Sequence, residues 1–102
     1  MIKIALICQY GASTGMCVKK MQEYAKKENI DVHITAYSFS QLPNIVDDVN
    51  CILLGPQLGY KFNQFTQEYP ENARKMAVID ALDFGMMNGE KILKDALKRV
   101  EQ

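Results

Sequence analysis

The chain has no tryptophan, one histidine and three cysteines in 102 residues. Each scarcity closes off a class of reading. Cys8, Cys17 and Cys51 are odd in number and form no C-x-x-C pair, which argues against a disulfide framework and a zinc site. His33 stands alone, and no metal or cofactor is expected. Excess charge is also missing: 12 lysines and arginines balance 12 aspartates and glutamates, so no global field draws in nucleic acid or anionic lipid. Apolar runs reach about five residues, far below the ~20 that span a bilayer. The opening "MIKIALIC" lacks the apolar length and cleavage site of a signal peptide. A cytoplasmic, soluble protein is the expectation. No repeat, linker or low-complexity segment appears, and residues 1–102 are read as one domain, within the usual ~50–200 residues.

What is present alternates between strand-like and helix-like patterns. Ile2–Cys8 is a nearly continuous apolar run, as in a strand buried on both faces of a parallel sheet. Cys17, Met21, Tyr24 and Ala25 then fall on one helical face, with Lys19, Lys20, Glu23, Lys26 and Lys27 on the other. Asp31–Ser38 alternates strictly, as in a half-exposed edge strand, and a short helix is expected over Gln41–Val46 with Pro43 in its first turn. Cys51–Gly55 is a second buried strand, followed by Leu58, Phe62, Phe65 and Tyr69 at helical spacing until Pro70. Lys75–Asp80 is the fourth strand, and Asn88 caps a last helix striped by Ile92, Leu93, Ala96, Leu97 and Val100. Four alternations predict an α/β fold, a parallel sheet with helices on both faces. Ligands of such sheets bind beyond the carboxyl ends of the strands.

Cys8 lies at that edge. Helix one is expected to begin near Ser13 or Thr14, so that Gln9, Tyr10, Gly11, Ala12, Ser13, Thr14 and Gly15 wrap its N-terminus. Unpaired N–H groups and the helix dipole make such a position an anion site. Gly11 and Gly15 let the backbone approach a ligand, and the Ser13 and Thr14 hydroxyls add donors. The same field favours the thiolate of a neighbouring cysteine. An anion cradle beside a thiolate implies attack on phosphorus, with phosphate held on sulfur. The motifs G-x-x-x-x-G-K-[ST] and G-x-G-x-x-G are absent. So is C-x5-R, because the sixth position after Cys8 is Thr14. Lacking an arginine whose contacts contribute ~10³-fold or more in phosphoryl transfer, a phosphocysteine here should persist until an acceptor arrives. That describes a carrier.

The stretch "KIALICQYGASTGMCVKKM" resembles the phosphocysteine loop of the IIB component of the bacterial sugar phosphotransferase system, lactose/cellobiose (lactose/chitobiose) branch. "CILLGPQLGY" is similar to that family's third strand and Gly-Pro-Gln turn, and "VIDALDFGMMNGEKIL" to its last strand, loop and helix. The resemblance covers essentially the whole chain. It implies an open four-stranded parallel sheet, order 2-1-3-4, resembling the low-molecular-weight phosphatase fold. It further implies that Cys8 accepts phosphate from a IIA phosphohistidine and passes it to a β-diglycoside carried by the membrane permease IIC. The free protein is expected to be a monomer. Many members have a serine seven residues past the cysteine where this chain has Gly15, so the hydroxyl that stabilises the thiolate is open between Ser13 and Thr14. Competing classes are a low-molecular-weight phosphatase or arsenate-reductase-like cysteine enzyme, and a flavodoxin-like module that binds a phosphate ligand.

Other residues have simpler readings. Cys17 and Cys51 are read as core hydrophobes, His33 as a surface residue, and Asp80 and Asp83 as turn caps. Gly55-Pro56-Gln57 ends a strand close to the loop. Because the turns after strands one, three and four open at one edge, Tyr10, Tyr60, Met86 and Met87 are candidate docking residues around Cys8. Phe84 is expected to tuck into the core.

Overall fold

The computed structural model describes residues 1–8 and 11–101, with the side chains of residues 11–13 outside that description. Gln9 and Tyr10 fall outside it. Strand β1 (Ile2–Cys8) is followed by α1 (Gly11–Lys27), β2 (Val32–Ser38), α2 (Leu42–Ile45), β3 (Cys51–Leu54), α3 (Phe62–Glu68), β4 (Met76–Val78), α4 (Ala81–Gly85) and α5 (Gly89–Val100). Three 3₁₀ turns, Phe39–Gln41, Pro56–Lys61 and Pro70–Lys75, lead into α2, α3 and β4. The strands form one parallel sheet in the order β2-β1-β3-β4, the order expected.

Alternation along β1 divides the core in two. Ile4 and Leu6 face one side with Cys17, Val18 and Met21 of α1 and Ile92, Leu93 and Ala96 of α5. Ala5 and Ile7 face the other with Leu42 of α2, Leu58, and Phe65 of α3. Period-two burial on a strand sandwiched by period-3.6 stripes is what a doubly covered parallel sheet requires. Asn29 ends α1 with φ 56°, the left-handed turn that asparagine tolerates best among residues with a side chain. Asn88 starts α5 by accepting a hydrogen bond from the Lys91 N–H at 3.2 Å. Beside it, Gly89 is indispensable: a Cβ there would lie 2.5–2.7 Å from backbone atoms of Lys20 and Met21. The missing side chain lets α5 seat directly on α1 and so fixes α1 against the sheet. No helix among the described residues is long and apolar enough to cross a membrane.

Two expectations shift. Helix α1 starts at Gly11, two to three residues before the expected start, although serine and threonine are favoured caps. Leu58, expected on a helix, lies in the 3₁₀ turn Pro56–Lys61, where Gly59 weakens α-helix formation.

Candidate active site

Cys8 ends β1, the strand flanked on both sides, and is 5 % exposed. Its side chain follows Ile4 and Leu6 onto the α1 face of the sheet, because alternate strand residues share a face. Only residues 9 and 10 separate it from α1. The expected seven-residue loop is thus a two-residue link plus the first turn of α1. Cys8 therefore stands close to N–H groups that have no intrahelical acceptor. Gly15 departs from its expected role. It lies inside the helix, and a Cβ there would meet nothing within 4 Å, so no turn depends on it.

Two further elements border the sulfur. On one side β2 pairs Cys8 with Ser38 and Leu6 with Ala36, which puts Ala36 and Ser38 on the face that carries Cys8. A cavity of about 100 Å³ opens there, lined by Cys8, Thr14, Ala36, Tyr37 and Ser38. The small Ala36 side chain leaves room for it. On the other side, β3 ends in Gly55, whose N–H donates to the Ile7 carbonyl at 3.0 Å. A Cβ on Gly55 would lie 2.8 Å from Gln57 Oε1 and 4.0 Å from Cys8 Sγ. The absent side chain thus leaves space that Gln57 uses next to the sulfur. Gln57 was expected near the loop. Ala36, Tyr37 and Ser38 were not, and the only signal for them is topological: the end of a parallel neighbour of β1 must flank the end of β1.

The other thiols are placed for packing. Cys17 and Cys51 are fully buried, and no disulfide joins any of the three cysteines. Burial raises the pKa of the Cys17 thiol. It pushes that of Cys51 up to about 11, with Arg99 pulling weakly the other way. A thiol that keeps its proton is a poor nucleophile.

Another cavity, about 270 Å³ between β4 and α5, includes Asp80, Asp83, Asp95 and Arg99 in its lining. Its carboxylates are engaged locally: Asp80 caps α4 through the Leu82 and Asp83 N–H groups, and Lys91 bridges Asp83 and Asp95. His33 is exposed and hydrogen-bonded through Nε2 to Thr35 Oγ1 at 2.9 Å.

The family described as "PTS system, Lactose/Cellobiose specific IIB subunit" matches residues 3–95. The chain belongs to this IIB family of the sugar phosphotransferase system. Among the relatives of this IIB chain, the oligo-beta-mannoside-specific EIIB component of Bacillus subtilis is 31 % identical over 97 residues, covering 95 % of this chain and 94 % of the relative. The cellobiose-specific EIIB component of Lactococcus lactis is 34 % identical over 98 residues, 91 % of each. The solution structure of the cellobiose-specific IIB component from Borrelia burgdorferi superposes with a TM-score of 0.83 at 32 % identity, covering 98 % of this chain and 92 % of that one. YwlE from Bacillus subtilis, in a mutant crystal structure, shares the fold alone. Its TM-score is 0.68 at 8 % identity over the whole of both chains, and it has the low-molecular-weight phosphatase-like architecture expected above.

On this IIB chain the candidate docking residues divide. Tyr60 and Met86 are 72 % and 68 % exposed, and Leu82, not singled out from sequence, is 69 % exposed. Met87 is half-buried with φ 52° where α4 turns towards α5. Phe84 is core, as expected, at 8 %. Tyr60 belongs to the turn whose Gly59 lies against Val78 at the end of β4, so these residues gather at the carboxyl edge of the sheet. Lys61 Nζ sits 5.1 Å from the Phe39 ring centroid and 5.8 Å from that of Tyr60, which holds the base of the exposed ring in place. Tyr10 lies outside the described residues.

Proposed function

We propose that residues 1–102 form a cytoplasmic phosphocarrier domain, monomeric when free, in which Cys8 takes a phosphoryl group from a IIA phosphohistidine and delivers it to a sugar bound by the IIC permease. The thiolate attacks phosphorus, the S–P bond forms as the N–P bond breaks, and the imidazole keeps the electron pair and takes up a proton. In the second step a sugar hydroxyl attacks, the O–P bond forms as the S–P bond breaks, and sulfur leaves as thiolate while the hydroxyl gives its proton to solvent.

The observation that carries this reading is the placement of Cys8 at the end of β1, beneath the first turn of α1. There the free N–H groups and the helix dipole favour an anion on sulfur. Residues 9–14 would supply those donors, and Tyr10, Tyr60, Met86 and Met87 would receive the two protein partners in turn. Position 14, where a hydrolase of this fold would carry its arginine, holds a buried threonine. The phosphoenzyme is therefore built to wait. Given the oligo-beta-mannoside and cellobiose named for two of its relatives, we assign the sugar class as β-diglycosides, with the choice among them made in IIC. Reconstitution with phosphoenolpyruvate, the general phosphotransferase proteins, IIA and IIC-bearing vesicles tests the reading. Phosphorylated cellobiose, chitobiose or lactose is the expected product. Aryl-phosphate hydrolysis at ordinary enzyme turnover, ~1–10³ s⁻¹, would instead make it a phosphatase.

A further inference from the structure

One buried polar side-chain atom among the described residues has nothing to bond. Thr14 is 1 % exposed, and its Oγ1 has no hydrogen-bond partner, although buried hydroxyls nearly always find one. Leaving such a group dry weakens the resting protein. The fold accepts that cost at a residue lining the same cavity as Cys8.

The rest of the cavity says what kind of partner is missing. Ser38 lines it from β2, and its Oγ lies 2.7 Å from Ser40 Oγ. When Ser40 donates within that pair, the Ser38 proton is released for another acceptor. Among the described residues no basic side chain lines the space. It suits an anion that arrives already bonded to sulfur and needs only hydrogen-bond donors. At about 100 Å³ it holds roughly three waters' worth of liquid, at ~30 Å³ each, enough for phosphoryl oxygens.

We infer that an oxygen of the phosphoryl group on Cys8 turns toward β2 into this cavity, where, among the described side chains, Thr14 Oγ1 donates to it first and Ser38 Oγ second. The inference rests on Cys8 being the phosphate carrier and adds which side chains hold the charged state. Thr14 is thereby unsatisfied in the resting protein and satisfied in the phosphorylated one, so its hydroxyl favours phosphocysteine specifically.

The test compares wild type, Thr14→Val, Thr14→Ser and Ser38→Ala, each equilibrated with phosphorylated IIA. Phosphorylated fractions are read by mass spectrometry, and melting temperatures are taken before and after phosphorylation. Thr14→Val keeps the shape but removes the donor. Its equilibrium constant for accepting phosphate should fall about tenfold or more, as expected for a lost hydrogen bond to a charged group. Its resting form should melt no lower than wild type, and higher if the dry hydroxyl is costly. Thr14→Ser should restore acceptance, and Ser38→Ala should lose less than Thr14→Val. If wild type takes phosphate on Cys8 and Thr14→Val equals it, this inference falls and the carrier reading stands. A resting Thr14→Val protein that melts well below wild type would also overturn it, by showing that the hydroxyl supports the resting fold. If wild type takes no phosphate at all, both fall.

Discussion

Gly55→Ala separates folding from phosphotransfer, because the added methyl fits the chain but displaces Gln57 and fills space beside the sulfur. Gly55 has φ −58° and ψ 152°, a conformation open to every residue and favoured before Pro56. The substitution therefore reduces the freedom of the unfolded chain at no backbone cost, which stabilises by ~0.4–1 kcal/mol. Against this, Gln57 Oε1, 2.8 Å from the new Cβ, must move. It is the end of a flexible, exposed side chain, and such rearrangements usually fall within ~0.5 kcal/mol. The Ile7 carbonyl at 3.6 Å is in ordinary contact. The melting temperature should hold or rise by a few degrees, since 1 kcal/mol corresponds to ~4–8 °C in a domain near this size. At the site the same methyl stands 4.0 Å from Cys8 Sγ, and Gln57 is displaced. Reacting atoms must approach to ~3–3.5 Å, and a 1 Å misplacement can cost ~10²-fold, so transfer from IIA should slow by roughly 10- to 100-fold. Rapid-quench transfer assays beside thermal melts read both quantities. Wild-type transfer in a normally stable variant would refute the claim that this turn borders the reacting phosphoryl group. A fall in melting temperature beyond about 10 °C would refute the packing reasoning.

Two other outcomes follow from the same structure. Below about 9, the ordinary value of its thiol, Cys51 is protonated in both folded and unfolded chains. Folding holds that proton until about 11, so the unfolded chain ionises first and stability is lost as pH climbs between those values. Urea unfolding at pH 8 and 10.5 should show wild type losing about 2 kcal/mol more than Cys51→Ala, and equal losses would contradict the assignment. Tyr60→Asp and Met86→Asp should each slow phosphorylation by IIA several-fold with little change in melting temperature, since both side chains are exposed. Unchanged kinetics in both would remove this edge from the docking surface.

Elements whose signals are local were legible in the sequence. Ile2–Cys8 is bounded by its own apolar run, and α5 by the asparagine that caps it and the stripe that buries it. Cys17 and Cys51 showed as core from periodicity alone. The start of α1 was misplaced because Ser13 and Thr14 are strong cap residues, yet the link from β1 is too short to leave them outside the helix. The β2 wall of the site depends on the pairing of Cys8 with Ser38. That is a contact across thirty residues, which no motif encodes. The exposed Leu82 was not singled out because α4 is only five residues long, too short for periodicity to assign a face. Gly15 looked like part of a cradle only while the loop was taken to extend that far.

The central claim is that one sulfur carries the phosphate. Protein incubated with phosphoenolpyruvate, the general phosphotransferase proteins and IIA should gain a single phosphoryl group, which peptide mass spectrometry places on Cys8. Cys8→Ser should fold with an unchanged melting temperature and gain none, because a neutral hydroxyl is a far weaker nucleophile than a thiolate. Phosphate retained by Cys8→Ser, or mapped in wild type to any residue other than Cys8, would contradict the account.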